Sequence, residues 1–326
     1  MRPGLVELLR CPRTGGRLRL EIEEARGDVV EQGALVSEEG ARYPVLNGIP
    51  RFVPADNYAA SFGLQWNRFR RTQLDSHSGH PISRERFYRT TGWTRAELAG
   101  ARVLDVGGGA GRFAEVALEA GANVTVLDYS LAVDACRANL GHHERLEVVQ
   151  GDVYALPFAR GTFDFVYCLG VLQHTPDPRG AFLALPPMLR SGGRLAVDVY
   201  ARLARNALWP KYWLRPVTRR LPPERLFRLV QRATPMLLPV SRALGRVPVV
   251  GRQLRYLVPV ANYEGVLPLS RTQLEEWAIL DTFDMLAPAH DHPQDAATLR
   301  NWCRAAGLVD VAVERRGAVM ARGTKP

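Results

Sequence analysis

Cysteine is scarce. Cys11, Cys136, Cys168 and Cys303 are the only four, and none stands at pair spacing. Neither a disulfide framework nor a four-thiolate metal cage can be built from them. Lysine is scarcer still: Lys211 and Lys325 are the only two, so nearly all 43 basic residues are arginine. No apolar run is long enough to span a bilayer. The opening residues, Met1-Arg-Pro-Gly-Leu5, have neither the apolar stretch nor the small-residue cleavage site of a secretory leader, which points to the cytoplasm. One segment lacks acid. Between Ala201 and Val260 thirteen Arg or Lys face a single Glu224. The whole chain carries +10, so the +12 of this segment leaves the rest at −2. The positive charge belongs to that segment and calls for a local explanation. What is present otherwise is a globular composition: 46% hydrophobic and 23% charged residues over 326 positions, enough for more than one domain.

The chain is organised around Val103-Leu-Asp-Val-Gly-Gly-Gly-Ala-Gly-Arg-Phe113. Apolar positions lead into a glycine-rich turn, and an amphipathic helix follows to about Ala120. A dinucleotide turn needs G-x-G-x-x-G. Counted from Gly107 the third glycine falls on Arg112, and from Gly109 on Ala114, so that pattern fails. The pattern that fits is acidic-x-G-x-G-x-G, with Asp105, Gly107, Gly109 and Gly111. It resembles the first motif of class I S-adenosylmethionine methyltransferases. That cofactor has an amino-acid tail, so the resemblance implies glycines for close approach and Asp105 for the ammonium group.

The following residues alternate strand and helix. Asn123 to Asp128 ends in an acid about twenty residues past the glycines, placed to accept ribose hydroxyls. Ser130 is a cap candidate for a helix to about Leu140. Leu146 to Gln150 precedes Asp152, and Phe163 to Cys168 leads into Leu169-Gly-Val-Leu-Gln-His174. A helix to about Leu189, the Ser191-Gly-Gly193 turn and a strand from Arg194 to Tyr200 follow. Such alternation demands a parallel sheet with ligands at the strand C-termini. Each acid alone reads equally well as a cap or turn residue. Together and in order, over 94–200, they resemble the class I methyltransferase family strongly. The resemblance implies a Rossmann-like seven-stranded sheet of the α/β class. It implies S-adenosylmethionine as cofactor, with Asp152 at the adenine amino group and Tyr129, Val153, Leu169 and Trp66 as further contacts.

Residues 1–54 read as a small β-rich module with strands near Leu18–Ile22 and Ala34–Val36 and a turn at Asn47-Gly48. Tyr43, Pro44, Gly48, Ile49 and Pro50 resemble the tail of a methyltransferase-associated zinc-ribbon domain. Its ligands are missing: Cys11 stands, but Thr14, Ser37 and Gly40 occupy the other places. One thiolate cannot hold a structural zinc, so a metal-free remnant or a plain β-hairpin cap is expected. Residues 55–93 read as a helical lid or linker. Tyr58, Phe62, Trp66 and Phe69 share a face of a helix drawn from Asp56 to Leu74, as core or as a lid over the cofactor. Thr94 and Glu97 have capping-box spacing.

The insert of 201–273 follows the fifth strand, and its prolines are expected to break it into short helices. A substrate cap, a basic surface on anionic membrane, a nucleic-acid contact and a plain solvated face remain open, with nucleic acid disfavoured. Residues 274–326 complete the sheet with a helix from Leu274 to Leu286, another from Asp295 to Ala306, and two strands. His174 is a candidate base or acceptor anchor, or else a histidine that orders its turn. His290 and His292 flank Asp291 near the acceptor mouth by resemblance. No third ligand set accompanies them, so no metal is expected. The place where amino-methylating enzymes of nucleobases carry Asp/Asn-Pro-Pro reads Leu169-Gly-Val-Leu172. The expected function is methylation of an oxygen, nitrogen or carbon on a small-molecule, glycan or lipid-like acceptor. An RNA-modifying enzyme and a non-catalytic scaffold are the alternatives.

Overall fold

The computed structural model describes residues 1–203 and 209–326. The first residues of the expected insert, 204–208, lie outside the described residues. Residues 1–50 form the short helix α1 (Leu5–Leu8) and four antiparallel strands in sequential order: β1 (Leu18–Arg26), β2 (Val29–Ser37), β3 (Arg42–Leu46) and β4 (Ile49–Pro50). Asn47 and Gly48 both have positive φ and join β3 to β4, the mirror-image turn that matches strand twist. Cys11 is buried against the Tyr43 hydroxyl at 3.3 Å.

Next come α2 (Ala60–Arg68), α3 (Asp75–Ser78), α4 (Ile82–Thr91) and α5 (Arg95–Leu98). The helix drawn from Asp56 to Leu74 is therefore shorter at both ends, and α3 forms a separate turn of helix after it. Asn57 Nδ2 donates to Pro54 O while its Oδ1 accepts from Ala59 N–H, which holds the entry as a turn. The Thr94–Glu97 capping box is formed in both directions.

The large sheet has seven strands in the order β10-β11-β9-β8-β5-β6-β7. Its strands are β5 (Arg102–Val106), β6 (Asn123–Asp128), β7 (Leu146–Gln150), β8 (Phe163–Leu169), β9 (Leu189–Val199), β10 (Val309–Arg316) and β11 (Ala318–Thr324). The strands β7, β6, β5, β8 and β9 run parallel, and β11 lies antiparallel between β9 and β10. Crossovers run through α6 (Arg112–Glu119), α7 (Ala132–Leu140) and α8 (Pro178–Ala184). The expected Ser191-Gly-Gly193 turn is not a break between elements. It is an irregularity inside β9, where the pairing with β8 shifts register after Phe163.

The small sheet continues the large one. Arg51 bridges Gln150 of the β7 edge in parallel, and Phe52 N–H donates to Gln150 O at 2.8 Å. Arg51 reaches across to Asp134 (2.6 Å) and to Gln150 Oε1 (3.1 Å). An open parallel edge is thereby covered.

The insert contains α9 (Pro210–Thr218), α10 (Pro223–Gly245) and α11 (Gly251–Leu254), and packs against α12 (Arg271–Leu286). The expectation of short proline-broken helices fails at α10, which runs 23 residues through Pro235 and Pro239. Both prolines are exposed, so carbonyls left without an N–H donor reach water. The last helix is α13 (Ala296–Ala305), capped by Asp295.

Candidate functional site

The turn after β5 is shaped by what a side chain would hit. Gly107 has φ +78°, and a Cβ there would lie 2.4 Å from Val171 Cγ2. Gly109 has φ +54°, and its Cβ would stand 3.2 Å from Trp66 Nε1. The loop after β8 and the indole from α2 therefore close directly on the turn. Gly111 differs: its absent side chain makes room for Leu140 and Cys136 of α7, so it serves helix packing.

Asp105 lies behind the turn, 2% exposed, beside Tyr167 and under Gly108. Its Oδ2 has no hydrogen-bond partner. Burial pushes its carboxyl up to about 8, so the free protein holds it protonated at neutral pH. Asp128 ends β6. Its Oδ2 accepts from Gly109 N–H (2.9 Å), and Oδ1 accepts from Ser130 N–H and Oγ–H. Burial raises its pKa while these bonds oppose the rise. Ser130 Oγ in turn accepts from Ala132 N–H, but the N-cap of α7 is Leu131, one residue past the expected Ser130. Asp152 Oδ1 accepts from Tyr154 N–H, and Val153 beside it is buried. Leu169 is buried at the end of β8, and the Tyr129 ring stacks on Tyr58 at 4.8 Å.

These features fit a cofactor with an amino-acid end and a nucleoside end. The glycines bring Val171 and Trp66 close onto the turn's backbone, one buried oxygen of Asp105 is unpaired, and acids close the next two strands.

His174 sits in the turn after β8, 7% exposed. Its Nδ1 lies 3.0 Å from the His290 carbonyl. A carbonyl can only accept, so Nδ1 carries the proton and neutral His174 keeps its lone pair on Nε2. That Nε2 is buried without a partner. His292 N–H donates to Gln173 O, pinning the 290–292 loop to the same turn. The His290 and His292 rings stack at 5.7 Å, and burial holds His290 below its usual pKa. Among the described residues no cluster of His, Cys, Asp or Glu has the arrangement of a metal site.

The aromatic stripe divides its work. Tyr58 packs edge-on to His290 (5.4 Å), Phe62 on His174 (5.3 Å), Trp66 on Gly109, and Phe69 on Phe227 of the insert (5.8 Å). It spans from the histidines, across the glycine turn, to α10.

Several residues at this site gave no separate signal in the sequence. Tyr200 meets His174 edge-on at 5.4 Å. Gln173 is fully buried with both amide atoms unpaired. Lys211, buried in α9, pairs with Asp291 at 3.1 Å and ties the insert to the histidine loop. Adjacency to His174 could have marked Gln173, but nothing local in the sequence marks Tyr200. Arg112, which broke the dinucleotide pattern, donates to Ser83 Oγ (2.8 Å) and Gln73 Oε1 (2.7 Å) and anchors the linker. Loss of hydration there lowers its pKa to about 10.

Residues 104–197 match the family model described as a methyltransferase domain. A ubiquinone biosynthesis O-methyltransferase of Thiobacillus denitrificans is 37% identical over 35% of this chain and 51% of its own length. An uncharacterised Synechococcus protein is 29% identical over 65% of this chain and 48% of its own. The chain thus spans about half the length of the curated relatives it matches. The solved structure of human N-acetylserotonin methyltransferase with S-adenosylmethionine covers 84% of this chain and 60% of its own, at 14% identity and TM-score 0.46.

Proposed function

We propose, from a chain whose residues 104–197 form a class I S-adenosylmethionine-dependent methyltransferase domain, that the protein methylates a hydroxyl of a small-molecule or lipid-like acceptor in the cytoplasm. The carrying observation is the unpartnered Nε2 of His174, oriented by the His290 carbonyl, in the loop whose Val171 closes on Gly107. When bound, S-adenosylmethionine supplies a methyl group already activated by its sulfonium, so placement and proton removal are left to the protein. Gly107 and Gly109 would admit the cofactor, Asp105 would take its ammonium group, Asp128 its ribose and Asp152 its adenine. Tyr129, Val153, Leu169 and Trp66 would line its flanks. His174 Nε2 takes the acceptor's hydroxyl proton as that oxygen gains the methyl group. His290 and His292 line the acceptor mouth. The O-methyltransferase names of relatives such as the Thiobacillus denitrificans protein support oxygen as the acceptor atom.

In this reading residues 94–200 with 274–326 carry the reaction. Residues 55–93 are the lid, 201–273 the cap, and 1–54 a metal-free edge cover.

Labelled S-adenosylmethionine, incubated with the full chain and a lysate, is expected to pass label into small-molecule or lipid fractions. His174→Ala should lower turnover by about 10²–10⁴ and leave cofactor affinity unchanged. Label in RNA, or titration by NAD in place of S-adenosylmethionine, overturns the reading. Unchanged turnover in His174→Ala removes the base.

A further inference from the structure

The segment from Trp209 to Leu257 turns much apolar surface outward. In α10 the residues Leu226, Phe227, Val230 and Leu238 are buried, and the helix packs on α12. The opposite face reads Arg225, Leu229, Arg232, Met236 and Val240, at spacings of four, three, four and four. All five are exposed, Met236 at 76%. The helix then runs into Arg246-Val247-Pro248-Val249-Val250. Val249 is 98% exposed with φ +65°, a left-handed backbone conformation that a β-branched residue rarely takes. Its side chain gains no burial inside the chain to offset that strain.

The charge around this surface is mostly positive, with Glu224 in the first turn of α10 as that helix's one acid. Arg225, Arg228 and Arg232 line the first half of α10, and among the described residues they form no ion pair. The nearby acid Glu264 is taken up by Arg242 and Arg246. An amphipathic helix with arginines at one end and exposed methionine and valine at the other suits a surface that is anionic outside and apolar beneath. A nucleic acid would satisfy the arginines and leave Met236 and Val249 in water. The stripe itself offers no aromatic platform for bases.

We propose that α10 and the 246–250 turn dock on an anionic lipid bilayer. Arg225, Arg228 and Arg232 meet headgroup phosphates, and Met236, Val240 and Val249 enter the acyl boundary. No described helix is long and apolar enough to cross the membrane, so the contact is peripheral. The proposal does not rest on the methyl-transfer reading.

The test is co-sedimentation of the full chain with phosphatidylcholine vesicles, with and without phosphatidylglycerol, at low and physiological salt. Binding is expected only with phosphatidylglycerol, falling as salt rises. Arg225→Gln/Arg228→Gln/Arg232→Gln should weaken partitioning at least tenfold, at about fivefold per arginine. Met236→Ser/Val249→Ser should weaken it about tenfold at physiological salt, where headgroup attraction is screened. These side chains are exposed, so both variants should keep the wild-type circular dichroism and S-adenosylmethionine titration, which separates this test from the reaction. Equal sedimentation without phosphatidylglycerol, or none with it, overturns the proposal. So does retention on immobilised single-stranded RNA that vesicles do not compete away.

Discussion

Asp105 gives the site its pH dependence. Its folded-state pKa, near 8, lies above the 3.8 of a free aspartate. An acid shifted that way binds its proton more tightly in the folded chain. It therefore costs stability progressively as pH rises from about 4 to about 8. Asp105→Asn keeps the shape and removes the charge, so it should raise the melting temperature of the free protein at pH 8 and not at pH 4. The same shift predicts proton release on cofactor binding, since pairing with an ammonium group requires the ionised carboxylate. Calorimetry of S-adenosylmethionine binding at pH 7 in buffers of different ionisation enthalpy should show that proton for the native protein and none for Asp105→Asn. Equal buffer dependence in the two would remove Asp105 from the ammonium site.

Among the elements, the turn between β5 and α6 tolerates little change. Gly107→Ala adds a methyl group 2.4 Å from Val171 Cγ2 at a φ of +78°. It should cost roughly 2–4 kcal/mol in urea unfolding and abolish cofactor binding. A cost under about 0.5 kcal/mol would mean that the β8 loop moves freely away from the turn. This turn was legible in the sequence because its chemistry is local. So were the alternation from β5 to β9, the Thr94 capping box and the Asn47-Gly48 turn. What could not be read depends on partners far along the chain. Trp66 and Gly109 meet across 43 positions, and Lys211 and Asp291 across 80. The four-and-three spacing of Tyr58, Phe62, Trp66 and Phe69 shows a common face, yet cannot say that its members touch four different neighbours. Proline chemistry argued for breaks in α10, but packing on α12 and solvent on the other side kept it whole.

For the whole molecule, the joint between the two sheets matters most. Arg51, with its side chain 9% exposed, holds Asp134 and Gln150 from the small sheet. Arg51→Ala should destabilise the protein by about 1–3 kcal/mol, read as a shift in the denaturant midpoint. If the melting profile instead separates into two transitions, the small sheet unfolds as its own unit. The strand order has a consequence in time. The strand β9 ends at Val199, but its outer neighbour β11 begins only at Ala318. A ribosome adding about 5–20 residues per second leaves that flank of β9 without its partner for on the order of ten seconds. Throughout that interval the arginine-rich helices emerge before the sheet beneath them is complete, so the nascent chain, rather than the finished protein, is where aggregation must be avoided.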